Sequence, residues 1–241
     1  MANLIIDIGN TAVKAAFTEG VTLGKTFRYQ GEKVKNFIVS LTSREWPEVM
    51  VISSVYEISA QDEKVYETLC GKLVILDQAH PSVLSEHSLP GWITYDRAAS
   101  LIAARHLFKG RGITVMDFGT TLTVDFIDSE GRYEGGNISL GCRTRFKALN
   151  RYSRALPLLD TPEDSPLTGD SFTTSITSGV LSGIMFEISG YISLKQDNIV
   201  VFTGGDANYF AKRIKNSIFV ICNLVLMGLA LIADGYVNEK N

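Results

Sequence analysis

The chain has 241 residues, 45% of them hydrophobic, with a formal net charge of −3 at pH 7 and a pI near 5.7. That is enough material for one large globular domain or two lobes with their own cores, and it leaves no broad cationic surface for nucleic acid or an anionic membrane. Cys70, Cys142 and Cys222 are scattered and odd in number, a usage that points to reduced thiols in the cytoplasm and away from a disulfide framework or a Cys-x-x-Cys metal site.

The start of the chain enters an apolar run without a basic leader, so no secretory signal is expected and the Asn137-Ile138-Ser139 sequon reads as accidental. Leu4–Ile8 and Ala12–Phe17 read as a strand pair, Gly24–Arg28 as a third strand, and Glu32–Leu41 as a helix with Val34, Phe37, Ile38 and Leu41 at helical spacing. Val49–Ser53 is a strand, Asp62–Cys70 a helix, Leu73–Leu76 a strand, and the polar stretch His80–Pro90 a loop. Asp96–Lys109 is an amphipathic helix leading through Gly110 and Gly112 into the second half.

There, Val115–Phe118, Thr121–Ile127 and Tyr133–Ile138 repeat the opening order of strands, with a turn at Asp128–Gly131. Helices follow at Cys142–Arg151, Thr174–Leu194 and Leu224–Val237, with strands at Ile199–Thr203 and Ile218–Ile221. The nearly unbroken apolar stretch Ile218–Ala233 is interrupted by Asn223 and falls short of the ~20 residues that span a bilayer. It reads as a buried strand followed by a buried helix. Two lobes are expected, 1–109 and 110–241, joined through the Asp96–Lys109 helix.

Two segments of this layout match each other. Asp7-Ile8-Gly9-Asn10-Thr11 recurs as Asp117-Phe118-Gly119-Thr120-Thr121, each after an apolar run and before a second one. One such turn is an ordinary hairpin. Two copies about 110 residues apart indicate a duplicated phosphate-binding fold, with glycine allowing a tight turn and the Asp and hydroxyls meeting a cation or phosphate. Turns facing one another would hold a nucleotide between the lobes.

Lys14, three residues beyond Thr11, offers a point charge to a phosphate. Asp117 is the natural cation ligand and Thr120 a phosphate contact, while Asp125 reads equally as structural. Thr94-Tyr95-Asp96-Arg97 opens the long helix. There Asp96 is either a cap favoured by the helix dipole or an acceptor for the proton of an attacking hydroxyl, with Arg97 orienting an anionic acceptor. Gly135-Gly136 and Gly204-Gly205 stand at strand ends, where a backbone can approach a ligand closely. Gly20–Thr26 resembles a P-loop but has three residues between its glycines instead of four, and a strand-like segment follows it. No dinucleotide fingerprint, nucleophile elbow or His-rich metal cluster is present, and His80, His87 and His106 are too scattered for a triad.

Taken in order, Asp7–Thr11 with Lys14, Pro90 before Asp96-Arg97, Asp117–Thr120, Gly135-Gly136 and Thr203-Gly204-Gly205 resemble the motifs of type III pantothenate kinases over nearly the whole chain. That family lies in the acetate and sugar kinase, Hsp70 and actin superfamily. The resemblance implies an α/β fold of duplicated actin-like (ribonuclease H-like) mixed-sheet lobes with an interlobe nucleotide cleft. It also implies ATP-dependent phosphorylation of (R)-pantothenate, Mg2+ with ATP, a monovalent cation (K+ or NH4+), and a cytoplasmic homodimer. By the same resemblance Asp7, Ile8, Gly9, Asn10, Thr11, Lys14, Thr120, Gly204 and Gly205 contact ATP, and Asp117 holds the cation. Asp96 takes the proton, and His87, Thr94, Tyr95, Asp96, Arg97 and Phe172 form the acceptor pocket.

The chain departs from the family pattern at Thr94 (usually Gly), Leu140 (Pro), His87 (Tyr) and Phe172 (Thr, which here stands next door as Thr173). Two rivals follow from these departures. One is a kinase of another small alcohol, and the other a nucleotide-binding regulatory homologue without catalysis. Retention of Asp7, Lys14, Asp96 and Asp117 together weighs against the second.

Overall fold

A computed structural model describes residues 2–238. The chain forms two compact units, the first from the start through Leu107 together with the stretch from Asn223 onward, the second Phe108–Cys222.

In the first unit β1 (Asn3–Ile8), β2 (Val13–Glu19), β3 (Thr22–Tyr29), β4 (Val49–Ser54) and β5 (Lys72–Leu76) make one sheet of order β3-β2-β1-β4-β5. The β1–β2 and β2–β3 pairs are antiparallel, whereas β1–β4 and β4–β5 are parallel. All six residues of β1 and of β4 are buried, which explains why these strands read as unbroken apolar runs without alternation. Leu4, Ile6, Ile8, Met50 and Ile52 share a core with Ile38 and Leu41 of α1 (Val34–Thr42) and Tyr66 of α2 (Ala60–Glu67).

The loop expected at His80–Pro90 contains a short helix, α3 (Ser82–Glu86), which inserts Val83 and Leu84 into the interior. α4 (Tyr95–Leu107) follows.

The second unit repeats the plan. Its strands β6 (Ile113–Phe118), β7 (Thr121–Ile127), β8 (Tyr133–Leu140), β9 (Ile199–Gly204) and β10 (Ile218–Val220) are ordered β10-β9-β6-β7-β8. β6–β7 and β7–β8 are antiparallel, and β6–β9 and β9–β10 parallel. Read from the hairpin side, each sheet is three antiparallel strands followed by two parallel ones, so the duplication seen as a repeated turn extends to topology. α5 (Cys142–Tyr152), α6 (Phe172–Leu194) and α7 (Ala207–Ala211) supply Phe146, Ile184, Ile188 and Phe210, which meet Met116, Phe118, Val124 and Phe202 of the sheet.

The division expected at 109/110 is corrected at the far end of the chain. β10 stays with the second unit, but α8 (Leu224–Asn238) packs on α4 and on β1 of the first. Gly228 explains why. Its α-carbon comes so close to the backbone of Ala99 in α4 that a β-carbon would stand 1.9 Å from the Ala99 carbonyl oxygen. Helical periodicity marks the apolar face of α8 but not the helix that receives it. None of the helices among the described residues is long and apolar enough to cross a membrane.

Candidate active site

Each unit ends its central strand in a glycine turn whose amide bonds back across it, the turn of the first unit being one residue longer. At the end of β1 the chain turns through Gly9, whose amide donates to the Ala12 carbonyl at 3.2 Å. At the end of β6 the Gly119 amide donates to the Thr121 carbonyl at 3.0 Å. The acid that opens each turn has a hydroxyl residue beside it on the parallel neighbour strand, Ser53 next to Asp7 and Thr203 next to Asp117. Both hydroxyl residues are buried.

On its other side Asp7 faces Lys14 across the hairpin, and Lys14 in turn faces Arg28 on β3. Directly opposed residues share a sheet face, so Arg28, Lys14, Asp7 and Ser53 form one polar row along the end of the sheet. Arg28 and Ser53 escaped the sequence reading because only the strand register aligns them with Asp7. Asn10 and Thr11 sit exposed at the tip of the turn, with the Thr11 carbonyl accepting from Gln30 Nε2 at 3.5 Å. The P-loop-like segment is the β2–β3 turn, with Gly20 at φ +55°.

The turn in the second unit is braced from three directions. The Thr120 carbonyl accepts from the Gly141 amide at 3.0 Å and from Thr144 Oγ1 at 2.6 Å. The Phe118 carbonyl accepts from the Asp206 amide at 3.2 Å. Gly204 crosses directly behind Asp117 with φ +91°, where a β-carbon would fall 2.4 Å from Asp117 Oδ1. Gly205 is exposed with nothing near its missing side chain.

α7 begins at Ala207 rather than at the glycine pair, and Asp206 precedes it. Burial pushes the Asp206 carboxyl above the usual carboxylate range. Asp125 is buried and accepts from the Tyr133 hydroxyl at 2.9 Å, a structural contact away from the turn. Gly135 on β8, with φ +127°, stands opposite Phe126 at a register shift.

Asp96 lies in the first turn of α4. Its Oδ1 is buried and has no hydrogen-bond partner among the described residues, so that oxygen does not cap the helix. A buried carboxylate oxygen left in this condition costs free energy on the order of 1–3 kcal/mol, a cost that a hydroxyl donor reaching it would offset.

Thr94 is exposed, while Tyr95 and Arg97 are buried. The Arg97 guanidinium lies 5.8 Å from the ring centre of Trp92, and the indole is 64% exposed. His87 is half-buried at the end of α3, its carbonyl accepting from Arg105 Nη1 at 2.7 Å. Burial is the main reason its imidazole is harder to protonate than usual; the Arg105 charge adds to this and Glu86 opposes it.

Phe172 belongs to the second unit. It is the first residue of α6, behind the Ser171–Thr174 capping box, and is 58% exposed. With Leu140, Leu149, Tyr152 and Ile176 it lines an apolar groove of about 710 Å³ between α5 and α6, within the range of small-molecule pockets. Arg145 borders this groove and is held by Glu187, by Ser139 and by the Leu140 carbonyl at 2.8 Å. Two of the four positions that depart from the family pattern, Leu140 and Phe172, thus share one wall.

No group of three or more His, Cys, Asp or Glu among the described residues gathers to hold a metal by itself. A cation beside Asp117 would have to take its remaining oxygens from phosphate, backbone carbonyls and water.

The family model for type III pantothenate kinase matches residues 3–194. A type III pantothenate kinase from Phocaeicola vulgatus is 38% identical over 232 residues, covering 94% of this chain and 96% of its own length. That of Cytophaga hutchinsonii is 36% identical over 231 residues, covering 94% and 96%.

Among solved structures, an activator of 2-hydroxyisocaproyl-CoA dehydratase from Clostridium difficile aligns with a TM-score of 0.60 at 14% identity, covering 100% of this chain and 97% of its own. An ROK hexokinase from Thermus thermophilus aligns at 0.56 and 14%, covering 100% of both chains. These likenesses establish the duplicated actin-like fold. Since the family model runs over most of the molecule and relatives above 30% identity span more than nine-tenths of it, the chain belongs to the type III pantothenate kinase family.

Proposed function

We propose that Asp96 is the proton acceptor in the reaction of this enzyme, the ATP-dependent phosphorylation of pantothenate that opens coenzyme A synthesis. The observation that carries the assignment is the buried, unpartnered Oδ1 of Asp96 at the start of α4. A carboxylate placed there orients the primary hydroxyl of the acceptor for attack on the γ-phosphorus. As the new oxygen–phosphorus bond forms and the bond to the β–γ bridging oxygen breaks, the hydroxyl proton passes to Asp96 and ADP leaves. In a loose transition state the proton moves late, so an ordinary carboxylate suffices and positioning supplies most of the effect.

In the same reading the Gly9 and Gly119 turns offer backbone amides and hydroxyls to the phosphates of ATP, and Lys14 adds a point charge. Gly204 and Gly205 let the backbone approach the nucleotide. Asp7 and Asp117 are the residues that would hold cations, Mg2+ with the phosphates and K+ or NH4+ at Asp117. When bound, such ions neutralise charge that builds on the transferring phosphoryl group. Thr94, Arg97 and His87 belong to the acceptor side, with Arg97 orienting the pantothenate carboxylate. Phe172 and Leu140 make an apolar wall for its hydrocarbon part, and we place the enzyme in the cytoplasm as a homodimer.

A coupled ADP-release assay with pantothenate, run with and without K+, tests the reading. Asp96→Asn should retain ATP binding in calorimetry while turnover falls by about 10²–10⁴-fold, the range for loss of a general base. Full turnover in that variant refutes the role given to Asp96.

A further inference from the structure

Tyr95 immediately precedes Asp96, and its ring is buried. Its hydroxyl donates to the main-chain carbonyl of His80 at 3.3 Å. His80 is itself fixed, with Nδ1 2.7 Å from Asp77 Oδ1 and Nε2 3.6 Å from Glu63 of α2. Asp77, directly after β5, is completely enclosed and accepts the amides of Ile58 at 2.8 Å and Ala79 at 3.0 Å.

A buried carboxylate is costly unless every oxygen is used. Here both are used: Ala79 and His80 belong to the turn between β5 and α3, and Ile58 ties that turn to the segment between β4 and α2. That turn stands at the carboxyl end of the parallel strands, where β5 lies in register with β4 and β4 with β1, so Leu76, Ser53 and Asp7 form one row. Open α/β sheets bind their ligands at this edge.

We infer that Asp77, His80 and Tyr95 form a positioning chain that fixes the first turn of α4, and with it the Asp96 carboxylate, relative to the carboxyl edge of the sheet. The inference rests on Asp96 being the proton acceptor. It removes Tyr95 from the acceptor pocket and gives it a supporting task. The first turn of a helix lacks the full set of intrahelical bonds and frays readily, so a hydroxyl tether one residue before a reacting acid restricts that acid where the helix itself does least. None of the three residues needs to touch substrate, and the effect belongs to the chemical step.

The test compares wild type with Tyr95→Phe, His80→Ala and the double variant, measuring kcat, KM for each substrate and Tm. Tyr95→Phe keeps the ring and deletes one hydrogen bond, so we expect kcat to fall about fivefold, with KM for ATP and Tm essentially unchanged. The double variant should be no slower than the slower single one, because loss of the His80 imidazole frees the main-chain carbonyl that holds the Tyr95 hydroxyl, so both changes act along one chain.

Wild-type kcat in Tyr95→Phe overturns the inference. So does a loss that tracks a fall in Tm or a rise in KM for ATP, and so do independent, multiplying losses. Asp96→Asn separates the two readings. An inactive Asp96→Asn beside a fully active Tyr95→Phe sinks the positioning chain alone, whereas an active Asp96→Asn sinks the assignment of the acid.

Discussion

Gly204 is pressed against Asp117: a methyl group at its α-carbon would lie 2.4 Å from the carboxylate oxygen and 2.6 Å from both the amide nitrogen and the carbonyl oxygen of Phe118. Backbone atoms cannot rotate out of the way, and φ +91° is itself unfavourable for any side chain. Gly204→Ala should therefore lower unfolding stability by about 2–4 kcal/mol and weaken ATP binding, as read by denaturant unfolding and calorimetry. Gly205→Ala is the control. Nothing lies near that position, so stability should stay within ~0.5 kcal/mol, and a selective loss of ATP affinity there would mark Gly205 as a backbone contact to the nucleotide.

The α4–α8 contact opposes two effects of known size. Gly→Ala inside a helix gains about 1 kcal/mol in propensity, whereas forcing a methyl into a close-packed backbone contact costs about 1–3 kcal/mol. At Gly228 the obstacle is the Ala99 carbonyl oxygen, 1.9 Å from where a β-carbon would stand, so the cost wins and Gly228→Ala should lower Tm. Gly235→Ala, in the same helix with nothing within 4 Å, should raise it. A rise in both variants would show that α4 and α8 separate at little expense.

Most of the elements were legible because their burial follows one rule at a time. β1 and β4 are enclosed on both faces and read as apolar runs; the amphipathic spacing of α1 marks its inner face; the repeated Asp-x-Gly-x-Thr turn marks a duplicated sheet. Four features were not legible, and the first three depend on a partner elsewhere in the chain. α8 crosses back to the first unit because of one glycine at a helix contact. Ser53 and Thr203 stand beside the paired acids only through parallel register. His80 reads as a stray histidine until the Tyr95 hydroxyl reaches its carbonyl, and α3 was hidden in a polar stretch where only Val83 and Leu84 turn inward.

Phe172 offers a test of the proposed acceptor wall that leaves the nucleotide side alone. Replacing it with the residue usual in the family, Phe172→Thr, removes an exposed ring from a groove it shares with Leu140. With about one good apolar contact at stake, the KM for pantothenate should change about 5–20-fold, with KM for ATP and Tm held. An unchanged KM would place the acceptor elsewhere.

Asp77 makes stability depend on acid. Its burial raises the carboxyl pKa, but the hydrogen bonds from Ile58, His80 and Ala79 together outweigh burial and bring it below the ordinary value. A group whose folded pKa is depressed contributes stability above its unfolded pKa, about 3.9, and loses that contribution as pH falls through the folded value. Wild-type unfolding free energy should therefore drop more steeply below about pH 4 than that of Asp77→Asn. At neutral pH the variant should be less stable by about 1–3 kcal/mol, the cost of disturbing a buried, fully used acceptor. Parallel pH slopes for the two proteins would mean that Asp77 carries no such linkage.

The three cysteines should separate by reactivity. Burial pushes the Cys70 thiol up to about 11 despite a hydrogen bond with the Met50 backbone. Burial also raises Cys142, against a contact of 3.4 Å with the Thr161 hydroxyl. Cys222 alone is exposed. Since the thiolate is the reactive form, a disulfide reagent at pH 8 should label one thiol quickly in the native protein and all three after denaturation, and Cys222→Ser should abolish the fast phase. Rapid native labelling of Cys142 would show instead that its neighbourhood opens, because Phe146 and Phe210 pack in the same core and would have to part for the reagent to enter.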